Sequence, residues 1–298
     1  MFQSHIGEMA ALMTAICWSF TSLSFEAAGK RVGSLPVNVI RLVRGFIFIS
    51  VFSFFSRGMI LPFDASMHVW IWLSLSGLVG FVIGDLFLFQ AFVEAGARVS
   101  MLMMSLVPPI TALIGWLILD ETLTLLDFFA MLVTICGVAL VVLERNSDKS
   151  GVTFNRSLRG ILFAFGGAVG QAVGLILSKY GMGDYNAFAA TQIRIITGII
   201  GFMLIFIIFR RTKTLIPAIK NRTAMKLTTL GAFFGPFLGV SFSLFAVQHT
   251  ESGIASTIMA LPPILIIPFA ILFLKEKITK REILGALIAV CGTALFFI

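Results

Sequence analysis

The polar residues of this chain gather in short breaks between long apolar runs, and the runs recur down its whole length. Each run holds roughly 17 to 23 residues, enough to cross a hydrocarbon core about 30 Å thick as a helix rising about 1.5 Å per residue. Ten membrane-spanning helices are predicted, at residues 6–25, 37–56, 70–92, 99–119, 125–143, 159–178, 191–209, 227–247, 253–274 and 282–298. No Lys or Arg precedes the first run, and no small-x-small cleavage site follows Phe25. It also has a counterpart in the sixth run, so it is expected to be a structural helix rather than a signal peptide.

The pattern is written twice. The stretch "MSLVPPITALIGWLILDETLT", Met104 to Thr124, is answered 155 residues later by "MALPPILIIPFAILFLKEKIT", Met259 to Thr279. At the same offset Gly80 meets Gly235, Gly84 meets Gly239, and "ICGVAL" from Ile135 meets "VCGTAL" from Val290. Earlier in each half the offset is 153: Gly7 meets Gly160, Arg41 in "VIRLVRG" meets Arg194 in "QIRIITG", and Gly45 meets Gly198. Each half then has five spans, and because five is odd the second half enters the membrane from the opposite side. The expected fold is an all-α integral membrane protein of two inverted five-helix repeats, residues 1–145 and 158–298, joined by a polar linker at 146–157. Inverted repeats give two related packings of the same parts, one opening each way around a midplane site, which is the architecture of a secondary transporter.

Each repeat ends in Pro, an apolar run, a glutamate with a short polar turn, and a closing helix with a late Gly. In this it resembles the EamA family of the drug/metabolite transporter superfamily, most closely in "GDLFLFQAFVEAGARVSMLMMSLVPP", Gly84 to Pro109. The resemblance covers essentially the whole chain. It implies a ten-helix transporter of small metabolites that hydrolyses no ATP, with the first and sixth helices contributing to a central cavity. It also implies cytoplasmic termini in many members.

Composition agrees with membrane residence: 58% of residues are hydrophobic, 12% are charged, and mean hydropathy is +1.03. The net charge of +8 does not indicate nucleic acid, because the basic residues lie in the short loops, where they report topology. With a cytoplasmic N-terminus the outside loops would hold 17 Lys and Arg and the inside loops only Arg57 and Lys179. Both termini are therefore predicted outside the cytoplasm, in a bacterial inner membrane. Cys17, Cys136 and Cys291 all fall inside spans, read as small packing residues, and give no disulfide or metal framework. No cofactor or metal is expected.

Among candidate site residues, Asp85 is the acid that lies well inside a predicted span. It is either a proton-coupling carboxylate or the partner of Arg41 or Arg194 in a structural ion pair. Val240 stands at its repeat-equivalent position. Arg41 and Arg194 either snorkel to the interface or bind a substrate anion. Pro108, Pro109, Pro262, Pro263 and Pro236 interrupt spans four, nine and eight, a feature tolerated at membrane depth mainly beside protein or a water-filled cavity. Spans four and nine are thus expected to line the cavity with Met104, Ser105, Ser256, Thr257 and Met259. Gln90, Gln171 and Trp18 are further large polar or amphipathic residues within spans, Gln171 being the equivalent of Trp18. Paired glycines such as Gly80 and Gly84, or Gly170 and Gly174, serve either static packing or a sliding surface. Glu121 and Glu276 read as turn residues, followed by capping boxes at Thr124 with Asp127 and Thr279 with Glu282. The phenylalanines read as lipid-facing bulk.

The expected function is secondary transport, with export favoured, of a small metabolite such as an amino acid, possible proton coupling included. A lipid or lipid-linked sugar flippase on the same fold is the alternative. An intramembrane aspartyl protease needs two facing acids and a G-x-G-D pattern, whereas "FVIGD" supplies one acid and lacks the first glycine. No H-E-x-x-H, G-x-S-x-G or phosphate-binding glycine loop is present.

Overall fold

The computed structural model describes residues 5–118, 124–145, 152–154, 157–250, 255, 258–274 and 279–295. Where no water is available to the backbone, an apolar run satisfies its amides internally by becoming a helix. α1 (Ile6–Val32) and α2 (Ser34–Arg57) are followed by a helix in three segments, namely α3 (Met67–Ser76), a π-helical stretch Gly77–Gly84, and α4 (Asp85–Glu94). α5 (Ala97–Met103) passes through a 3₁₀ turn, Met104–Leu106, into α6 (Val107–Ile118), and α7 (Leu125–Val142) closes the first half. The second half runs through α8 (Leu158–Met182), α9 (Ala187–Ile208), a loop helix α10 (Leu215–Lys220), α11 (Arg222–Ala232), π-helical Phe233–Gly239, and α12 (Val240–His249). It ends with α13 (Pro262–Leu274) and α14 (Lys280–Leu295).

Among the described residues seven helices are long and apolar enough to cross a membrane: Ile6–Val32, Ser34–Arg57, Met67–Glu94, Ala97–Ile114, Leu158–Met182, Ala187–Ile208 and Arg222–His249. The fifth, ninth and tenth expected spans coincide with the shorter α7, α13 and α14. The first helix does not stop at residue 25 but continues to Val32. The reason is Glu26, which is buried and accepts hydrogen bonds from Lys30 and from the Ala97 backbone N–H at 2.8 Å, capping α5. Gly96 precedes that cap at φ +86°, a conformation other residues rarely adopt. Elsewhere polar side chains start helices as caps: Ser66 accepts from Val69 N–H, Ser157 from Gly160, Asn186 from Phe188 and Ala189, and Asn221 from Ala224. The Thr279–Glu282 capping box forms, with Thr279 N–H donating to Glu282 at 2.9 Å and Glu282 N–H to Thr279 Oγ1 at 3.2 Å. Glu121 and Glu276 lie outside the described residues. Beside the polar linker, Leu143–Arg145 and Val152–Phe154 form a short antiparallel ladder in which Glu144 opposes Thr153.

The prolines stand at or beside changes of helix geometry within their spans. Pro108 and Pro109 stand in the first turn of α6, and Pro262 and Pro263 begin α13. There a missing N–H costs nothing, because first-turn amides have no intrahelical partner. Pro236 lies inside the π-helical stretch Phe233–Gly239 and Pro268 inside α13.

Contacts repeat across the halves with their roles exchanged, as a twofold axis in the membrane plane demands. A methyl group built on Gly137 would meet Ala289, and one built on the equivalent Gly292 would meet Thr134, itself the equivalent of Ala289. α7 and α14 thus cross antiparallel about the pseudo-axis. Likewise Gly45 abuts Pro236 and Ile195, while Gly198 abuts Phe81 and Leu42, the equivalent pair. Gly84 and Gly80 pack on Gly170 and Gly174 of α8, while in the other half Gly235 packs on Thr21 and Gly239 on Trp18 of α1.

Candidate functional site

Between the halves lies a cavity in two connected parts. The larger, about 740 Å³ out to its mouth, is lined by Trp18, Phe81, Met101, Met104, Ser105, Val107, Pro108, Gln171, Leu175, Arg194, Val240, Ser243, Met259, Ala260, Pro262 and Pro263. The second part shares Trp18, Phe81, Met101, Met104, Gln171 and Val240 with it and adds Thr21, Ser22, Phe25, Arg41, Asp85, Phe89 and Pro236. The walls come from α1, α2, both π-helical segments, α4, α5 to α6, α8, α9, α12 and α13 with the residues before it.

The local structure explains how polar groups reach this depth. In a π-helical turn the backbone is widened by one residue, and such turns recur at functional sites. Here Asp85 N–H reaches back to the Gly80 carbonyl, and Gln171 Nε2 donates to that carbonyl at 3.3 Å as well. The Asp85 carboxylate accepts from Gln171 Nε2 at 2.8 Å through Oδ1 and from Arg41 Nη2 through Oδ2. Arg41 Nε donates to Asn38 Oδ1 at 3.0 Å, and Asn38 Nδ2 donates to the Asp85 carbonyl at 3.3 Å. Three aromatic rings surround the Arg41 guanidinium, with centroids at 4.5 Å for Phe89, 5.6 Å for Phe81 and 5.8 Å for Phe25.

Arg194 is placed differently. Its guanidinium stands over the same Phe81 ring at 4.7 Å, and its backbone lies against Gly77, where a side chain would collide with it. Only 4% of the residue is exposed, yet its Nε has no hydrogen-bond partner among the described residues, and no carboxylate is in ion-pair contact with the guanidinium there. Ser105 Oγ, on the same cavity wall, is also buried without a partner.

The structure thus brings Trp18, Met104, Ser105, Pro108, Gln171, Met259, Pro263, Asp85, Arg41 and Arg194 to one cavity. Neither arginine snorkels: Arg41 and Arg194 are 3% and 4% exposed. Gln90 is not among the lining residues. It accepts from Ser34 Oγ at 2.6 Å and donates to Glu94 at 2.7 Å, tying α4 to the start of α2. Ser256 and Thr257 lie outside the described residues. Phe81, Phe89 and Phe25 are the residues that sequence reasoning passed over as bulk. The signal available was spacing: Phe81 and Phe89 stand four residues either side of Asp85, on its face of the helix.

At one end of the bundle Asp64 accepts from Tyr185 Oη at 2.9 Å and from Arg57, joining the loops after α2 and α8. Burial pushes the Asp64 carboxyl up, but the hydrogen bonds from Tyr185 and Arg57 outweigh it and hold the group below its ordinary range. The Tyr185 phenol is pushed up to about 12, by burial first and by Asp64 second. At the other end Arg98 meets Glu282 at 3.3 Å and Arg159 meets Glu94 at 3.6 Å.

The sequence model of one family, described as the EamA-like transporter family, matches residues 5–143 and 158–298. No curated protein matches the chain. Among solved structures, one described only as "Crystal structure of protein" superposes with a TM-score of 0.64 at 16% identity, covering 97% of this chain and 95% of that one. At that identity the likeness is one of fold.

Proposed function

The chain belongs to the EamA-like transporter family and is a multi-pass membrane transporter, and from that premise we propose that it moves a small metabolite by alternating access of its two five-helix halves. The observation that carries this reading is the cavity itself, walled by equivalent elements of both halves and floored by a buried polar cluster. Rocking about the pseudo-axis exchanges the environments of equivalent helices, so one cavity is presented first to one side and then to the other. The glycine crossings supply the close, smooth surfaces that such motion needs. The ten-span count and a net direction of export belong to the same proposal, as does a metabolite such as an amino acid or a related organic compound as cargo.

Proton coupling through Asp85 is the finer part of the proposal. A proton arriving at this carboxylate has to displace Arg41, so coupling requires the Arg41–Asp85 pair to open during the cycle. The test uses the full chain in proteoliposomes. Counterflow of a labelled amino acid or organic acid against its unlabelled form is expected, and pH-driven accumulation is expected to vanish in Asp85→Asn while counterflow persists. Lipid translocation without counterflow of any soluble compound would replace the transporter reading by a flippase, and undiminished pH-driven flux in Asp85→Asn would remove the proton from it.

A further inference from the structure

Resting on the transporter reading, we infer that the cargo is a small organic acid with an uncharged apolar body, and that Arg194 holds its carboxylate where the internal repeat leaves an acid out. The two arginines occupy equivalent positions, but their partners do not match. Arg41 faces Asp85, whereas the equivalent of Asp85 in the second half is Val240, which lines both parts of the cavity. Arg194 therefore keeps a buried guanidinium with an unpaired Nε, while the Ser105 hydroxyl on the same wall also lacks an acceptor among the described residues.

Charge points the same way. The buried cluster holds Arg41, Arg194 and Asp85, two positive groups and one negative, leaving one positive charge without a counter-ion. A desolvated cation without a partner is unfavourable, and an aromatic face such as Phe81 compensates it only weakly. A monoanion removes the imbalance and a cation worsens it. A guanidinium also offers a carboxylate two parallel N–H donors, the strongest geometry for that group. A substrate ammonium, by contrast, would need Asp85, whose oxygens already accept from Arg41 and Gln171. The rest of the larger chamber, with Met101, Met104, Val240 and Met259, suits an uncharged body.

The test measures thermal stabilisation of the purified full chain by four compounds sharing a phenyl body: 3-phenylpropionate, 3-phenylpropionamide, phenethylamine and phenylalanine. A ligand bound only by the folded protein raises its melting temperature, by an amount that grows with the logarithm of its affinity at fixed concentration. 3-Phenylpropionate is expected to bind at least about tenfold more tightly than the other three, and Arg194→Gln to lose that preference. Val240→Asp tests the same point without removing the arginine, because an acid supplied by the chain should pair with Arg194 and exclude the carboxylate. Equal binding of the amide or the amine, equal binding of phenylalanine, no stabilisation by the acid, or unchanged acid binding in Val240→Asp would each overturn the inference. Counterflow of the amine or the amide, insensitive to Arg194→Gln, would overturn the inference and leave transport standing. Binding of the acid without counterflow of any compound would do the reverse.

Discussion

A single carboxylate, Asp85, ties three helices together at the centre of this protein: it accepts from Arg41 on α2 and Gln171 on α8, joining both to its own helix with the π-helical turn, while Arg194 on α9 stands across the shared Phe81 ring. Removing one partner of a fully buried pair leaves the other as an uncompensated charge, which costs about 3–5 kcal/mol. Asp85→Ala is therefore expected to destabilise the detergent-purified protein by about that amount. The double substitution Arg41→Met with Asp85→Leu should recover much of the loss, since replacing both partners by apolar groups of similar size is often neutral. A single and a double variant that melt together would mean that the orphaned Arg41 charge is not the source of the loss. Asp85 and the two arginines were legible in the sequence because charge is rare in an apolar run and because Arg41 and Arg194 repeat. Which of the two arginines pairs with Asp85 was not, since a one-dimensional pattern gives no rotation of one helix against another. Phe81, Phe89 and Phe25 were hidden for another reason: in a chain with 31 phenylalanines the residue type carries no information. Glu26 was hidden because a hydropathy window ended the first span one residue short of it.

At the scale of elements, the two equivalent crossings are not equally tight. A methyl group on Gly170 would lie 2.5 Å from the Gly84 Cα, backbone against backbone, and one on Gly174 would lie 2.9 Å from Gly80. In the other half a methyl on Gly235 would meet the Thr21 methyl at 3.2 Å, a side chain that can shift by a few tenths of an ångström. The α8 crossing thus sets backbone against backbone, whereas Gly235 and Gly239 rest on the Thr21 and Trp18 side chains. Gly170→Ala is expected to destabilise by about 1–3 kcal/mol, the usual range for overpacking a close-packed contact, and Gly235→Ala by less. Melting temperatures of the two variants check the order, and a Gly235→Ala variant less stable than Gly170→Ala would refute it. Glycine spacing marked both crossings in the sequence. The π-helical segments at Gly77–Gly84 and Phe233–Gly239 were not marked, because hydropathy is blind to one extra residue in a turn. The repeat did carry a trace of them in the Gly80–Gly235 and Gly84–Gly239 pairs.

For the whole molecule, the inverted repeat was legible at the level of single letters, since the 153- and 155-residue offsets that align the sequence are those that relate its contacts in space. Sidedness is a separate matter, because a pseudo-twofold in the membrane plane makes the two ends of the bundle alike in backbone and different only in side chains. One end carries the Arg57–Asp64–Tyr185 latch and few other basic groups. The opposite end carries the loops after α1, α4 and α9, with Lys30, Arg31, Arg98, Arg210, Arg211 and Lys213. Short loops rich in Lys and Arg stay in the cytoplasm, so the latch end is predicted to face outward, with both termini. Asp184 and Lys213 are exposed on opposite ends and report the two sides. In intact cells a membrane-impermeant maleimide is expected to label Asp184→Cys above the parent background, and Lys213→Cys only after permeabilisation. The reverse pattern would turn the molecule over without altering its fold, and would mean that some other feature overrides a 17 to 2 charge bias. The consequence reaches the cavity. If the halves alternate as proposed, with the basic end inward, the Tyr185 latch is expected to break on opening outward and the Arg98–Glu282 and Arg159–Glu94 pairs on opening to the cytoplasm.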